Sequence, residues 1–183
     1  MNIILLKHGD KYTAEDVNKQ ALSIAKYTSN KIYCFTENKK DVKIECIDIP
    51  KKPRLVRWWN KMHLFRDDFL LEGKCVLFDL DIKIISDPFI YLNNIDWNYP
   101  TFIHDYWKKE MYMAEHAYDT EINSSILAWN SKQNSYIWDI FKKNIDYHTR
   151  KYKGIDRFFW HEDIKWRTFK NEILETINLS KDI

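Results

Sequence analysis

Residues 74–81 read Lys-Cys-Val-Leu-Phe-Asp-Leu-Asp, and this stretch decides the fold class. Its apolar run, residues 75–78, is unbroken, which is typical of a strand covered on both faces in a parallel sheet. The run ends in two carboxylates two residues apart, Asp79 and Asp81. In an open α/β sheet, this end of a strand borders the crevice where ligands bind. We therefore predict a central strand that delivers two carboxylates to a binding site.

Upstream of this strand, the sequence alternates between strand and helix patterns. Apolar runs predict strands over residues 2–6, 32–36 and 42–49. Between the first two, Thr13 with Asp16 three places on is typical of a helix N-terminus, and helical spacing continues to about residue 27. The order strand, helix, strand predicts a parallel βαβ unit with a right-handed crossover.

The downstream pattern completes a single α/β domain over residues 1–183, with a mainly parallel central sheet flanked by helices. The predicted elements are a helix over residues 58–71, a short helix starting at residues 87–88, strands over 101–104 and 122–129, and a helix over 132–147. The last thirty residues predict short helix and coil. No Gly/Ser/Pro-rich linker divides the chain, which has only 3 Gly and 4 Pro.

Composition narrows the class of protein. The net charge is +2 with both signs interspersed, which argues against a protein that coats nucleic acid. Cys34, Cys46 and Cys75 each lie in a strand-like apolar run, so we expect buried, reduced thiols. The first apolar run, residues 3–6, is too short for a signal peptide or a membrane span. These features predict a cytoplasmic protein, with peripheral membrane association through exposed Trp and Lys left open.

The aspartate pair itself favours a metal site. Residues two apart in a strand point to the same face, and two carboxylates at the end of a buried strand are costly unless a charge neutralises them. Mg²⁺ and Mn²⁺ prefer such oxygen ligands and also bind phosphate. The alternative is that Asp79 and Asp81 are solvated loop residues.

The chain also resembles a known family, the GT-A-fold glycosyltransferases, in particular small bacterial and phage-type enzymes of the glycogenin-like (family 8-like) group. The segments that carry this resemblance are residues 6–12 with 16–18, residues 33–37, the Trp58-Trp59-Asn60-Lys61-Met62-His63-Leu64-Phe65 run, residues 76–81 with 87–89, and residues 123–129. Their order and spacing cover roughly residues 3 to 165.

The resemblance implies metal-dependent transfer of a sugar from a nucleoside diphosphate sugar, with a UDP-sugar favoured, to an acceptor hydroxyl on a glycan or a similar partner. The resemblance implies that Asp79 and Asp81 bind Mn²⁺ or Mg²⁺, with Asp79 also near the ribose. It implies that the base and ribose lie along Lys7, His8, Gly9 and Tyr12, and that Lys61 contacts a phosphate or a sugar hydroxyl. It also implies that Asn123 and Ser124 line the sugar site and that Asp156 contacts the donor sugar or the acceptor. The residues alone also allow structural roles. Lys7 could be a surface lysine, Asn123 a turn residue and Asp156 a helix cap. Trp58 and Trp59 could be core residues.

Two departures from the family pattern bear on the chemistry. Relatives often have Asp-Gln where this chain has Asp156-Arg157. Glycogenin-like enzymes also bring a late histidine to the metal, for which His148 and His161 are the candidates here. The resemblance favours retention of stereochemistry, although four carboxylates are candidate bases for an inverting reaction: Glu115, Asp119, Glu121 and Asp156.

Two other functions remain open from the sequence. A phosphatase of the haloacid dehalogenase type also places Asp-x-Asp after an apolar strand, but its motif lies near the start of the chain and Lys83 departs from its pattern. A GT-A-like module that binds a sugar or nucleotide without turnover is the other alternative.

Overall fold

The computed structural model describes residues 1–104 and 120–179. Its strands are β1 (Asn2–Lys7), β2 (Ile32–Thr36), β3 (Glu45–Asp48), β4 (Lys74–Phe78), β5 (Ile82–Ile84), β6 (Thr101–His104), β7 (Ile122–Asn130), β8 (Arg167–Thr168) and β9 (Ile177–Leu179). Its helices are α1 (Ala14–Ala25), α2 (Phe89–Leu92), α3 (Tyr136–Lys142), α4 (Ile145–Lys151) and α5 (Ile155–His161), with 3₁₀ helices at Arg57–Phe65 and Asn171–Thr176.

Seven of the described strands form one sheet, in the order β3-β2-β1-β4-β7-β6-β8. Strands β1 to β4 are mutually parallel, and β4 lies beside β1 with Leu5 opposite Phe78. Strand β7 is antiparallel to both β4 and β6, and β8 is parallel to β6. The predicted mainly parallel α/β sheet is confirmed.

The sheet separates two hydrophobic cores, because alternate residues of each strand face opposite sides. In β1, Ile4 and Leu6 pack into one core, and Ile3 and Leu5 pack into the other. The same division continues in β4, where Leu77 joins the first core and Phe78 the second. Burial on both faces explains the unbroken apolar sequence of the central strands.

Helix α1 begins as the sequence predicts. Thr13 is its N-cap, with its Oγ1 accepting the Asp16 backbone N–H at 3.2 Å, and the Thr13 N–H donating to Asp16 Oδ2 at 2.8 Å. This reciprocal capping box satisfies two backbone donors that the helix cannot satisfy itself. It fixes the start of α1 directly after the polar loop that follows β1.

The helix predicted over residues 58–71 is wrong in both type and length. The chain forms a 3₁₀ helix that ends at Phe65, because Arg66 is extended with ψ of 146°. The Arg66 guanidinium makes two 2.6 Å hydrogen bonds to Asp68. All residues from Trp59 to Phe65 are buried, so this 3₁₀ helix is enclosed on every side and does not present one apolar face. Trp58, predicted for the buried face, is 42% exposed.

His63 makes the stability of this 3₁₀ helix acid-sensitive. Its ring is fully buried, 5.7 Å from the Trp138 ring centroid, and burial with the nearby Arg66 charge lowers the pKa of His63 to about 4. The unfolded chain takes up this proton near pH 6.5. Between pH 6.5 and pH 4 the unfolded state binds more protons than the folded state does. The free energy of unfolding therefore falls over this range as the pH is lowered, by on the order of 3 kcal/mol in total, and the full stability is present at neutral pH.

Urea unfolding of wild type and His63→Leu at pH 7 and pH 5 checks this expectation. The wild type should lose more unfolding free energy between the two pH values than the variant does, since the leucine does not titrate. Equal losses in the two proteins would show that His63 is not the acid-sensitive group.

Three further sequence predictions need correction. The strand predicted over residues 42–49 is shorter, Glu45–Asp48. The helix predicted over residues 132–147 is two helices, α3 and α4, because Asn144 has φ of −155° and its side chain caps α4 through the Tyr147 N–H. Short polar side chains favour such caps over helix interiors. Near the C-terminus, β9 pairs antiparallel with β5, a pairing that the sequence did not predict.

Candidate functional site

A cavity of about 500 Å³ lies beyond the carboxyl ends of β1 and β4. Three segments line it: the loop after β1, the turn after β4 and the start of the first 3₁₀ helix. The lining residues are Leu6, His8, Gly9, Asp10, Lys11, Tyr12, Arg57, Trp58, Lys61, Asp79, Leu80 and Asp81. Both aspartates of the motif therefore lie in the predicted crevice.

The two aspartates reach the cavity through a turn instead of a continuing strand. Strand β4 ends at Phe78, and the Ile82 N–H approaches the Asp79 carbonyl at 3.5 Å. The Asp79 N–H donates to the Ser125 carbonyl of β7 at 2.9 Å, which fixes the turn to the sheet. The expectation that strand alternation alone would align Asp79 and Asp81 is thus corrected, since Asp81 lies in the turn.

Asp79 is the more enclosed of the two carboxylates. Its side chain is 23% exposed, against 41% for Asp81. Burial raises the pKa of Asp79 above its ordinary value, Lys61 opposes this, and the charges of Asp81 and Asp156 add to it. Extra positive charge beside Asp79 would therefore favour its ionised form.

Lys61 is committed to this enclosed carboxylate. Its side chain is only 8% exposed, and Nζ lies 2.8 Å from Asp79 Oδ2. The same ammonium donates to the carbonyl and the hydroxyl of Ser124 at 3.1 and 3.2 Å. Lys61 lines the cavity as predicted, yet its charge is used within the protein instead of pointing freely into the cleft.

The loop after β1 contacts the second aspartate. Tyr12 donates its hydroxyl to Asp81 Oδ2 at 2.8 Å, and Lys11 Nζ lies 3.4 Å from the same oxygen. Burial raises the pKa of Tyr12 to about 12, so its hydroxyl stays protonated at neutral pH. Lys11 and Tyr12 thus bring a positive charge and a hydrogen-bond donor to Asp81.

The rest of this loop divides between the cavity and the core. His8 and Gly9 line the cavity, and burial lowers the pKa of His8. Gly9 has φ of 61°, a conformation that favours glycine, and its N–H donates to the Glu37 carboxylate. Lys7 is only 7% exposed, so the alternative that it is a surface lysine is wrong. It does not line the cavity, and its position along the base stays a prediction.

Ser124 and Asp156 connect Lys61 to helix α5. The Ser124 N–H donates to Asp156 Oδ1 at 3.1 Å, and Asp156 lies in the first turn of α5. Asn123 accepts the Ser125 N–H at 2.8 Å, in the local turn role left open by the sequence. None of these three residues lines the cavity, so Ser124 and Asp156 act on it through Lys61.

The two late histidines differ in exposure: His148 is packed in the core, whereas His161 is exposed. His148 is buried at 6% exposure, 5.9 Å from the Phe141 ring centroid and 3.5 Å from Glu162. His161 stacks on Tyr152 at 5.8 Å. Residues 1–104 and 120–179 contain no group of three or more His, Cys, Asp or Glu able to hold a metal ion. A third protein ligand to a metal is therefore not found among these residues.

The candidate bases for an inverting reaction are scattered. Glu115 and Asp119 lie outside the described residues. Glu121 lies 3.8 Å from His104, and Asp156 accepts from Ser124. Stereochemistry remains a sequence-based expectation.

The two carboxylates suit a hard divalent cation. The contacts that described residues make to their side chains use Oδ2 of each aspartate, which leaves Oδ1 of each for a further ligand. Carboxylate oxygens with water and phosphate are a usual set for Mg²⁺ or Mn²⁺. The donor set therefore fits such an ion, provided that a bound diphosphate and water complete its coordination.

Sequence reasoning missed members of the cavity, among them Lys11 and Arg57, and misjudged another. Arg57 was not singled out, and Trp58 was left open as a core residue. Arg57 has φ of 54°, rare for a residue with a side chain. No residue pattern signals this conformation, whereas the tryptophan pair Trp58-Trp59 did mark the segment.

Comparison with known proteins identifies the fold. No family model matches the sequence, and no curated protein matches it either. Solved glycosyltransferases do match: GlyE of Streptococcus pneumoniae TIGR4 has a TM-score of 0.62 at 14% identity, covering 93% of this chain and 46% of GlyE. The galactosyltransferase LgtC, solved with donor and acceptor sugar analogues, has a TM-score of 0.57 at 18% identity, covering 96% of this chain and 70% of LgtC. The bifunctional glycosyltransferase WbbM has a TM-score of 0.54 at 13% identity, covering 76% of this chain and 34% of WbbM.

These likenesses establish that the chain has the GT-A fold, as predicted. The chain spans less than half the length of GlyE and 70% of LgtC. Among the described residues, no helix is long and apolar enough to cross a membrane.

Proposed function

We propose that this chain is a metal-dependent glycosyltransferase that moves a sugar from a nucleoside diphosphate sugar to an acceptor hydroxyl on a glycan. The observation that carries the proposal is the pair Asp79 and Asp81, which both line a cavity at the carboxyl ends of two parallel strands of a GT-A fold. Ligands of open α/β sheets bind in this position. A UDP-sugar is the favoured donor on the resemblance.

Asp79 and Asp81 would hold the Mn²⁺ or Mg²⁺ ion, through the oxygens that their protein contacts leave available. A bound ion supplies Lewis-acid stabilisation of the negative charge that grows on the departing diphosphate. Lys61 adds a fixed positive charge 2.8 Å from Asp79, and a preorganised charge in an enclosed site needs no reorganisation during the reaction. Lys11 contributes a second cation beside Asp81.

The chain's other residues keep these charges in place. Ser124 accepts two hydrogen bonds from Lys61 and is held in turn by Asp156. Tyr12 fixes the Asp81 carboxylate to the loop after β1. His8 and Gly9 in that loop offer the surface along which the base and ribose would lie.

The non-catalytic alternative retains one supporting observation. Within residues 1–104 and 120–179, the aspartate pair has no third protein ligand beside it, as expected if the domain binds a nucleotide or sugar without turnover. The fold gives no support to a phosphatase, since the matching structures are glycosyltransferases.

A thermal-shift panel tests the proposal at the level of binding. UDP-, GDP- and ADP-linked hexoses are added with and without Mn²⁺ to wild type and to Asp79→Asn/Asp81→Asn. A ligand that binds only the folded state raises the melting temperature, so one nucleotide class should stabilise wild type, in the presence of Mn²⁺ and not in the double variant. A folded wild type that shifts with none of these compounds would exclude the proposed donor site.

A further inference from the structure

Trp58 is a large aromatic side chain that the fold leaves open to the cavity. It is 42% exposed and lines the cavity beside Lys61, whereas its neighbour Trp59 is 4% exposed and stacks on Phe141 at 5.4 Å. An indole at a binding cavity offers a broad apolar face with little conformational freedom to lose. Burying that face against a ligand would remove it from water.

Gly154 lies close to this indole. A methyl group built at Gly154 would lie 3.6 Å from Trp58 Nε1 and 3.7 Å from Cδ1, which is ordinary van der Waals contact. Gly154 has φ of 137°, a conformation that favours glycine, and it immediately precedes α5. The indole therefore lies beside the segment that also carries Asp156.

Arg57 precedes the indole in an unfavourable conformation. Its φ of 54° costs a non-glycine residue on the order of 1 kcal/mol. Its guanidinium carbon lies 5.8 Å from the Trp58 ring centroid, and Arg57 also lines the cavity. Backbone strain of this kind clusters at ligand sites, which agrees with a ligand on this wall of the cavity.

We infer that Trp58 is a stacking platform for a pyranose ring of the substrate, with Arg57, whose guanidinium lies over the indole, placed to meet sugar hydroxyls or anionic oxygens. The inference rests on the proposed function. Under the proposed function, the turn after β4 would take the diphosphate and the loop after β1 would take the base and ribose, as the resemblance implies. The third segment that lines the cavity, with Arg57, Trp58 and Lys61, remains for the sugar, whose ring C–H groups pack against an aromatic face.

The test compares ligands that differ only in the sugar. UDP-galactose and UDP are titrated calorimetrically with Mn²⁺ into wild type, Trp58→Ala and Trp58→Phe, or GDP-mannose and GDP if the wild type selects that class. Acceptor KM is measured in the same proteins for the best acceptor found in a panel of free mono- and disaccharides. If Trp58 is a platform for the donor sugar, Trp58→Ala should weaken the binding of UDP-galactose about tenfold and leave the binding of UDP unchanged. Trp58→Phe should have an intermediate effect. A platform for the acceptor sugar predicts that only the acceptor KM rises, by a similar factor.

Tyr147→Ala is the matched control, since Tyr147 is 47% exposed and lies outside the cavity lining. It should change none of these constants. Unchanged sugar and acceptor constants in a folded Trp58→Ala protein would overturn the platform while leaving the transferase intact. Weaker binding of UDP itself would overturn it too, because Trp58 would then contact the nucleotide. If the wild type binds neither nucleotide sugar, the proposed function is wrong, and the stacking role of Trp58 is wrong with it.

Discussion

Asp79→Asn and Asp81→Asn should each lower the rate of donor turnover by a hundredfold or more. Asp79→Asn should also lower the free energy of unfolding, because it leaves the buried Lys61 ammonium without its partner. The amide keeps the shape of the side chain and removes the charge that holds the cation. Losing one preorganised electrostatic contact to a transition state costs several kcal/mol, on the order of a hundredfold to a thousandfold in rate. Steady-state release of the nucleoside diphosphate measures the effect, with circular dichroism to confirm folding.

The matched control is Asp139→Asn, which changes an exposed aspartate paired with Lys142 outside the cavity lining. Its turnover should equal that of wild type. Asn variants at 79 and 81 that keep full turnover would show that the cavity carboxylates do not hold the ion.

Lys61→Met should destabilise the fold and weaken catalysis together. The substitution leaves Asp79 enclosed without its ion-pair partner, and breaking a buried pair by removing one member costs about 3 to 5 kcal/mol. Because Asp79 keeps 23% of its side-chain surface exposed, we expect a smaller loss than this, about 2 to 3 kcal/mol of unfolding free energy.

A double-mutant cycle separates the charge from the packing. Asp79→Asn removes the stranded charge, so Lys61→Met/Asp79→Asn should be more stable than Lys61→Met alone, by urea unfolding. Mn²⁺ should stabilise Lys61→Met more than wild type, since the ion then supplies the missing positive charge. Additive effects of the two substitutions would mean that the 2.8 Å pair contributes no coupling energy.

The parts of the fold that follow from local pattern were predictable. The apolar run of β4 required two covered faces, and Thr13 with Asp16 marked the start of α1. The aspartate motif then placed the cavity, because the end of a parallel strand borders the crevice of such sheets.

The parts that depend on distant contacts were not predictable. The pairing of β5 with β9 joins residues about ninety apart, and nothing local in either short strand specifies its partner. The commitment of Lys61 to Asp79 and Ser124 depends on three elements meeting. The left-handed Arg57, which begins a 3₁₀ helix where an α-helix was predicted, likewise follows from tertiary packing against local propensity.

The central claim is that the cavity at Asp79 and Asp81 breaks the bond between a sugar and a nucleoside diphosphate. The most direct test follows UDP-galactose, and GDP- and ADP-linked hexoses in parallel, by phosphorus NMR with purified wild type and Mn²⁺, with and without the panel of free mono- and disaccharides. We expect release of the nucleoside diphosphate from one donor class, slow with water alone, dependent on the ion and abolished in Asp79→Asn/Asp81→Asn. A donor that binds in the presence of Mn²⁺ yet stays intact with water and acceptor alike would contradict it, and would assign the domain to nucleotide-sugar binding without transfer.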